Sequence, residues 1–82
     1  MALNCQYDKN FGKNLRRLRE EKKMTQELLS VKMQLAGCDI TRSALAKIEV
    51  AQRHVYPDEI KALKETLGVE YSDIFEFEKN AQ

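Results

Sequence analysis

Thr25-Gln26-Glu27-Leu28-Leu29, followed after a break by Thr41-Arg42-Ser43-Ala44-Leu45-Ala46-Lys47-Ile48-Glu49, decides the fold of this chain. Each segment opens on a threonine immediately ahead of helix-forming residues. A threonine hydroxyl there accepts a hydrogen bond from a free N–H of the first helical turn. Behind Thr25, the residues Leu29, Met33 and Ala36 recur at helical spacing and form an expected core stripe, with Gly37 as the C-cap. The same helix carries a second apolar stripe, Leu28, Val31 and Leu35. A helix that is apolar on two sides must cover both. Two covers compete: a homodimer contact, or the chain's own ends through Leu3, Tyr7 and Phe77, the latter being preferred. Asp39-Ile40-Thr41 breaks the chain, and the helix after Thr41 buries Leu45 and Ile48.

Reading outward, residues 9–23 form an earlier helix with Phe11, Leu15 and Leu18 on one face and Asp8 as its N-cap. Gly12 in its first turns is tolerated at a small cost. Residues 52–56 read as a loop. Pro57, Asp58 and Glu59 suit a helix start, with proline in the first turn and acids at the positive end of the dipole. Ile60, Leu63 and Leu67 are its inner stripe, Gly68 its end, and Val69 a buried link. Ser72 caps a last short helix carrying Ile74, Phe75 and Phe77. The expectation is all-α: five short helices and no strands, in one domain spanning residues 1–82. Its core covers about 9–77, with a flexible tail at about 78–82.

Composition agrees and narrows the function. At 82 residues, 43% hydrophobic and 33% charged, the chain suits one small core and not two. One proline and three glycines are too few for the turns of an all-β fold. No apolar run approaches a membrane span, and the first residues lack the layout of a signal peptide, so a cytoplasmic protein is expected. Cys5 and Cys38 lie far apart, form no C-x-x-C unit, and read as reduced thiols. With His54 they are too few and too scattered for a zinc site, so no metal is expected. The net charge of +1 hides a division. Residues 1–56 carry +5, with Lys13, Arg16, Arg17, Arg19, Lys22 and Lys23 clustered, and residues 57–82 carry −4. Such a split suits a polyanion partner on one face, or simply solvated helix surfaces.

Taken in order, Leu18-Arg19, Met24-Thr25-Gln26-Glu27, Leu29, the run from Thr41 to Glu49, and Leu67-Gly68-Val69-Glu70-Tyr71-Ser72-Asp73-Ile74-Phe75 resemble the lambda-repressor-like, Cro/C1-type (XRE) helix-turn-helix regulators of bacteria and phages. The resemblance covers roughly residues 9–77. It implies a compact five-helix domain whose helices 2 and 3 form the helix-turn-helix, and a repressor-like, sequence-specific regulator that inserts helix 3 into the major groove of double-stranded DNA. Outward positions near the start of helix 3 then reach base edges: Arg42, Ser43, Ala44 and Lys47. Arg42 can bind guanine through two hydrogen bonds and Ala44 can touch a thymine methyl. Gln26, in the first turn of helix 2, is implied to hold a phosphate where free N–H groups favour anions. Thr25 beside it, Thr41 at the start of helix 3, and Arg53, His54 and Tyr56 in the loop after helix 3 are further backbone candidates. Arg19 and Glu49 are implied to form a structural ion pair tying helix 1 to helix 3.

Three positions depart from the family pattern. Residues 34–40 form a longer connection between helices 2 and 3, with helix 2 expected to run one extra turn. Val50-Ala51 replaces the usual glycine after helix 3. Since alanine disfavours a left-handed cap, helix 3 is expected to run on or end irregularly. Leu28 stands where a polar residue is usual. No nucleophile pattern and no phosphate-cradling glycine cluster is present, so neither an enzyme nor a small-molecule cofactor is expected. The competing reading is a protein-interaction module or antitoxin-like partner of the same fold. A homodimer is the expected assembly only if the Leu28 stripe pairs.

Overall fold

The computed structural model describes residues 6–75. Five helices follow one another: α1 (Gln6–Glu21), α2 (Gln26–Leu35), α3 (Arg42–Glu49), α4 (Pro57–Leu67) and α5 (Tyr71–Ile74). No strand occurs among the described residues. The core joins Phe11, Leu15 and Leu18 of α1 to Leu29 and Met33 of α2, Leu45 and Ile48 of α3, and Leu63 and Leu67 of α4. Ile40, between α2 and α3, is buried with them. Removing this apolar surface from water is the main term holding so small a domain together.

The caps explain the helix boundaries. Thr25 Oγ1 accepts from Leu28 N at 3.0 Å and Thr41 Oγ1 from Ala44 N at 3.1 Å. Pro57 opens α4, where its missing N–H costs nothing. Each of the first four helices ends through a residue with positive φ: Lys23 (59°), Gly37 (96°), Ala51 (63°) and Gly68 (68°). After α2, Gly37 N donates to Gln34 O at 3.0 Å and Cys38 N to Met33 O at 2.9 Å, the reciprocal pattern of a Schellman close. The connection to α3 is held by Gln34 Nε2 donating to Ile40 O at 2.7 Å, with buried Ile40 as anchor. Burial pushes the Cys38 thiol above its ordinary value, with the carboxylates of Glu59, Asp58 and Asp39 adding to the effect. Cys38 is thus held as a thiol, a poor nucleophile.

Several sequence expectations are corrected. Asp8 is not an N-cap: α1 already includes Gln6, and Asp8 Oδ2 lies 2.6 Å from His54 Nδ1. Helix 1 stops at Glu21 and not at residue 23, because Lys23 turns left-handed. Ala36 lies beyond the end of α2 and is exposed, so the α2 core stripe is Leu29 and Met33 alone. Ser72 sits inside α5, and Glu70 occupies the cap, its N–H donating to Asp73 Oδ2 at 3.0 Å. Helix 3 neither runs on nor ends irregularly. Ala51 takes the left-handed conformation, Ala51 N donates to Ile48 O at 3.1 Å and Gln52 N to Lys47 O at 2.8 Å. That bonding outweighs the penalty of roughly 1–2 kcal/mol that a Cβ incurs there.

Gly12 is more than tolerated. A Cβ built on it would lie 2.5 Å from the carbonyl oxygens of both Ile48 and Glu49. Its hydrogen is what lets α1 rest directly on the last turn of α3. On the other side of α1, Asn14 Nδ2 donates to the carbonyls of Asp73 (3.0 Å) and Ile74 (2.5 Å), and the Phe11 and Phe75 rings meet at a tilt with centroids 5.8 Å apart. α1 is thereby fixed to both α3 and α5.

Leu28, Val31 and Leu35 are exposed, Leu35 at 84%. Tyr7 is itself 48% exposed. Leu3, Cys5, Phe77 and the tail from residue 78 lie outside the described residues.

Candidate nucleic-acid interface

Glu49, the last residue of α3, organises the site. It is buried, with a side chain only 3% exposed. Arg19 of α1 meets it with two hydrogen bonds, Nε to Oε2 at 2.7 Å and an Nη to Oε1 at 3.1 Å. A further Nη of Arg19 donates to Met24 O at 2.7 Å, fixing the α1–α2 turn. The hydrogen bond to Glu49 raises the guanidinium's pKa further, against an opposing effect of burial. Gln26 completes the cluster, its Nε2 donating to Glu49 Oε1 at 3.0 Å. One carboxylate therefore ties α1, α2 and α3 together, and a buried charge needs such partners.

The rim of this cluster is open. Arg42, Thr25, Gln26 and Arg16 line one surface depression together with Val50. The structure thus brings the start of α2 and the start of α3 to a common face. Arg42, Ser43 and Lys47 are exposed on α3. Ala44 is half-buried and packs against the core, leaving only part of its methyl to any partner. The hydroxyls of Thr25 and Thr41 accept their capping bonds and keep their own hydrogens to donate.

The loop after α3 forms a second cluster, around Glu59. Arg53 spans the Glu59 carboxylate with two bonds of 2.9 Å, donates to His54 O at 3.0 Å, and lies 5.2 Å from the centre of the Tyr56 ring. Tyr56 N also donates to Glu59 Oε1 at 3.0 Å. The Arg53 hydrogen bond holds the Glu59 carboxyl below the usual carboxylate range, more strongly than burial raises it. Arg53 is therefore a structural ion-pair residue, whatever else it contacts. Its partner, six residues on and across a helix start, lies off any helical spacing. The His54–Asp8 pair joins this loop to α1. Among the described residues, no group of histidine, cysteine and carboxylate side chains is placed to hold a metal. No described helix is long and apolar enough to cross a membrane.

A comparison with protein families finds the helix-turn-helix model matching residues 15–74, which contain all of α2, α3 and α4. The chain belongs to the Cro/C1-type helix-turn-helix family. Among solved structures, it is similar to the restriction-modification controller protein C.AhdI from Aeromonas hydrophila. The two are 30% identical, with a TM-score of 0.77, over 85% of this chain and 94% of that one. Among curated protein sequences nothing matches significantly. In family terms α2 and α3 are the helix-turn-helix pair, and the Glu49 cluster lies where that pair meets α1.

Proposed function

We propose that this protein is a sequence-specific, repressor-like transcriptional regulator that inserts α3 into the major groove of double-stranded DNA. Family membership and the likeness to a restriction-modification controller support the coarser reading, a DNA-binding regulator and not an enzyme. The observation that carries the finer one is the shared depression in which Arg42 stands beside Gln26 and Thr25. A side chain that reads a base edge and groups that position a phosphate must lie on one surface. In this reading Arg42 takes a guanine, Ser43 and Lys47 contact neighbouring bases, and the exposed part of Ala44 meets a thymine methyl. Gln26, Thr25 and Thr41 hold one stretch of backbone. Arg53, His54 and Tyr56 hold another, with Arg53 offering only what its bond to Glu59 leaves over.

A homodimer is part of the proposal. The exposed Leu28, Val31 and Leu35 favour a protein contact, and paired domains read two half-sites about 34 Å apart. Selection of bound duplexes from a random pool at near-physiological salt tests this. An enriched motif with two half-sites is expected. A single enriched half-site removes the dimer. No enrichment, with no salt-dependent retention of duplex, removes DNA recognition altogether and leaves the protein-interaction reading.

A further inference from the structure

The α1 surface carries a basic stripe that the helix-turn-helix reading does not use. Lys9, Lys13 and Arg16 follow one another at spacings of four and three, which places them on one helix face. Lys9 and Lys13 are exposed. All three line a depression whose opposite wall is Val50, at the end of α3. Arg16 and Val50 also line the depression that contains Arg42 and Gln26. The two depressions therefore adjoin, and one basic surface runs from the start of α3, past Val50, along the N-terminal half of α1.

The neighbouring carboxylates do not cancel this charge. Glu49 is satisfied by Arg19 and Gln26. Asp8 faces His54. Among the described residues, the ion pair on the stripe is an exposed contact of 3.1 Å from Arg16 to Glu20, and such pairs are weak and exchange readily. Glu27 lines the Arg42 depression but not the one along α1. The stripe extends about 10 Å along the axis at 1.5 Å per residue. That matches roughly three nucleotides of one strand at 3.4 Å each. Lysines spaced along a helix face act as point charges suited to phosphodiesters and carry no base preference.

We propose that Lys9 and Lys13, with Arg16 as the link, form an additional track for the DNA backbone, flanking the segment read by α3. The proposal rests on the DNA-binding reading above and extends its footprint onto α1. It predicts a sequence-independent contribution to affinity, visible as counterion release.

The test is the salt dependence of binding to the selected duplex by the full chain and the double variant Lys9→Gln/Lys13→Gln. Both side chains are exposed, so the variant folds, and its circular dichroism and melting temperature verify this. Each lost phosphate contact lowers the slope of log K against log salt by about 0.9. The variant is therefore expected to show a slope shallower by about 1 to 2, with its selected motif unchanged. At two contacts, its deficit against wild type narrows by about tenfold between 50 and 200 mM salt. Lys61→Gln, an exposed α4 residue that lines a different depression, is expected to leave the slope unchanged. An unchanged slope in the double variant, with wild type binding normally, overturns the α1 track alone. Wild type that binds no duplex overturns the DNA-binding reading itself. A changed motif in the double variant overturns the assignment of these lysines to the backbone.

Discussion

Replacing Gly12 by alanine probes the contact on which α3 rests. The new methyl would stand 2.5 Å from two carbonyl oxygens of α3, those of Ile48 and Glu49. Ordinary van der Waals contact begins near 3.4 Å, so the helices must part by about 0.9 Å. Neither oxygen can rotate aside as a side chain would. Ile48 O also accepts the Ala51 hydrogen bond that closes α3. A gap of 0.5–1 Å forfeits about a quarter to a half of the dispersion energy of each pair it opens. The pairs affected are those between the core side chains that α1 and α3 contribute. Overpacking of this kind costs about 1–3 kcal/mol, against which alanine's better helix propensity returns about 0.5–1 kcal/mol. Because both obstructing atoms are backbone oxygens, the cost lies in the upper part of that range, and the net loss is about 1–2 kcal/mol. In a domain of this size each kcal/mol shifts the melting temperature by about 4–8 °C. Thermal unfolding followed by circular dichroism should therefore show a fall of roughly 5–15 °C. Gly37→Ala is the companion measurement, because a Cβ there meets open space and only the φ of 96° resists it. A melting temperature for Gly12→Ala equal to or above wild type would refute the close-approach argument, since propensity alone would then govern the site.

Other expectations follow from the same geometry. Ala51→Gly should stabilise the protein by about 1 kcal/mol, raising the melting temperature by several degrees, because glycine takes the left-handed conformation without the Cβ penalty; a lower melting temperature would contradict it. Arg19→Ala strands the buried Glu49 carboxylate and should cost about 3–5 kcal/mol in urea titration, whereas a loss below 1 kcal/mol would mean that the pair is not effectively buried. Glu59, whose folded carboxyl lies below its ordinary value, contributes stability that is complete above the unfolded glutamate value of about 4.3 and is lost as pH falls through the depressed folded one. Glu59→Gln should accordingly flatten the acid limb of a stability–pH profile, and an unchanged limb would count against the Arg53 pairing. Arg42→Ala should relax selection at one base position by about 1–3 kcal/mol, and an unaltered motif would remove Arg42 from the base-reading surface.

What could be read from the chain, and what could not, divides along the range of the interactions. Thr25, Thr41 and Pro57 mark helix starts because their effect is confined to one turn, and the same holds for Gly37 and Gly68 at helix ends. The stripes of Leu15, Leu29, Leu45 and Leu63 were legible for a similar reason, since periodicity alone selects the buried face. Asp8 failed as a cap because its partner, His54, arrives from a loop 46 residues away. Ala51 failed because propensity opposed a conformation that two backbone hydrogen bonds impose. The role of Gly12 needs the distance between two helices, which no local pattern encodes. The site divides in the same way. The resemblance supplied Arg19, Gln26, Arg42 and Glu49, while the Arg53–Glu59 bond and the alignment of Lys9 and Lys13 beside Val50 emerge only from packing.

The hydrogen bond from Gln26 to Glu49 has a consequence for kinetics as well as shape. An amide nitrogen carries two hydrogens, and the buried carboxylate engages one of them. The other is left with a direction set by the fold before any ligand approaches. Fixing a free side chain of this kind on association costs about 0.5–1.5 kcal/mol, and here that ordering occurs when the chain folds. A ligand reaching this amide meets a preorganised donor, and the gain from that ordering appears in the dissociation rate more than in the rate of encounter.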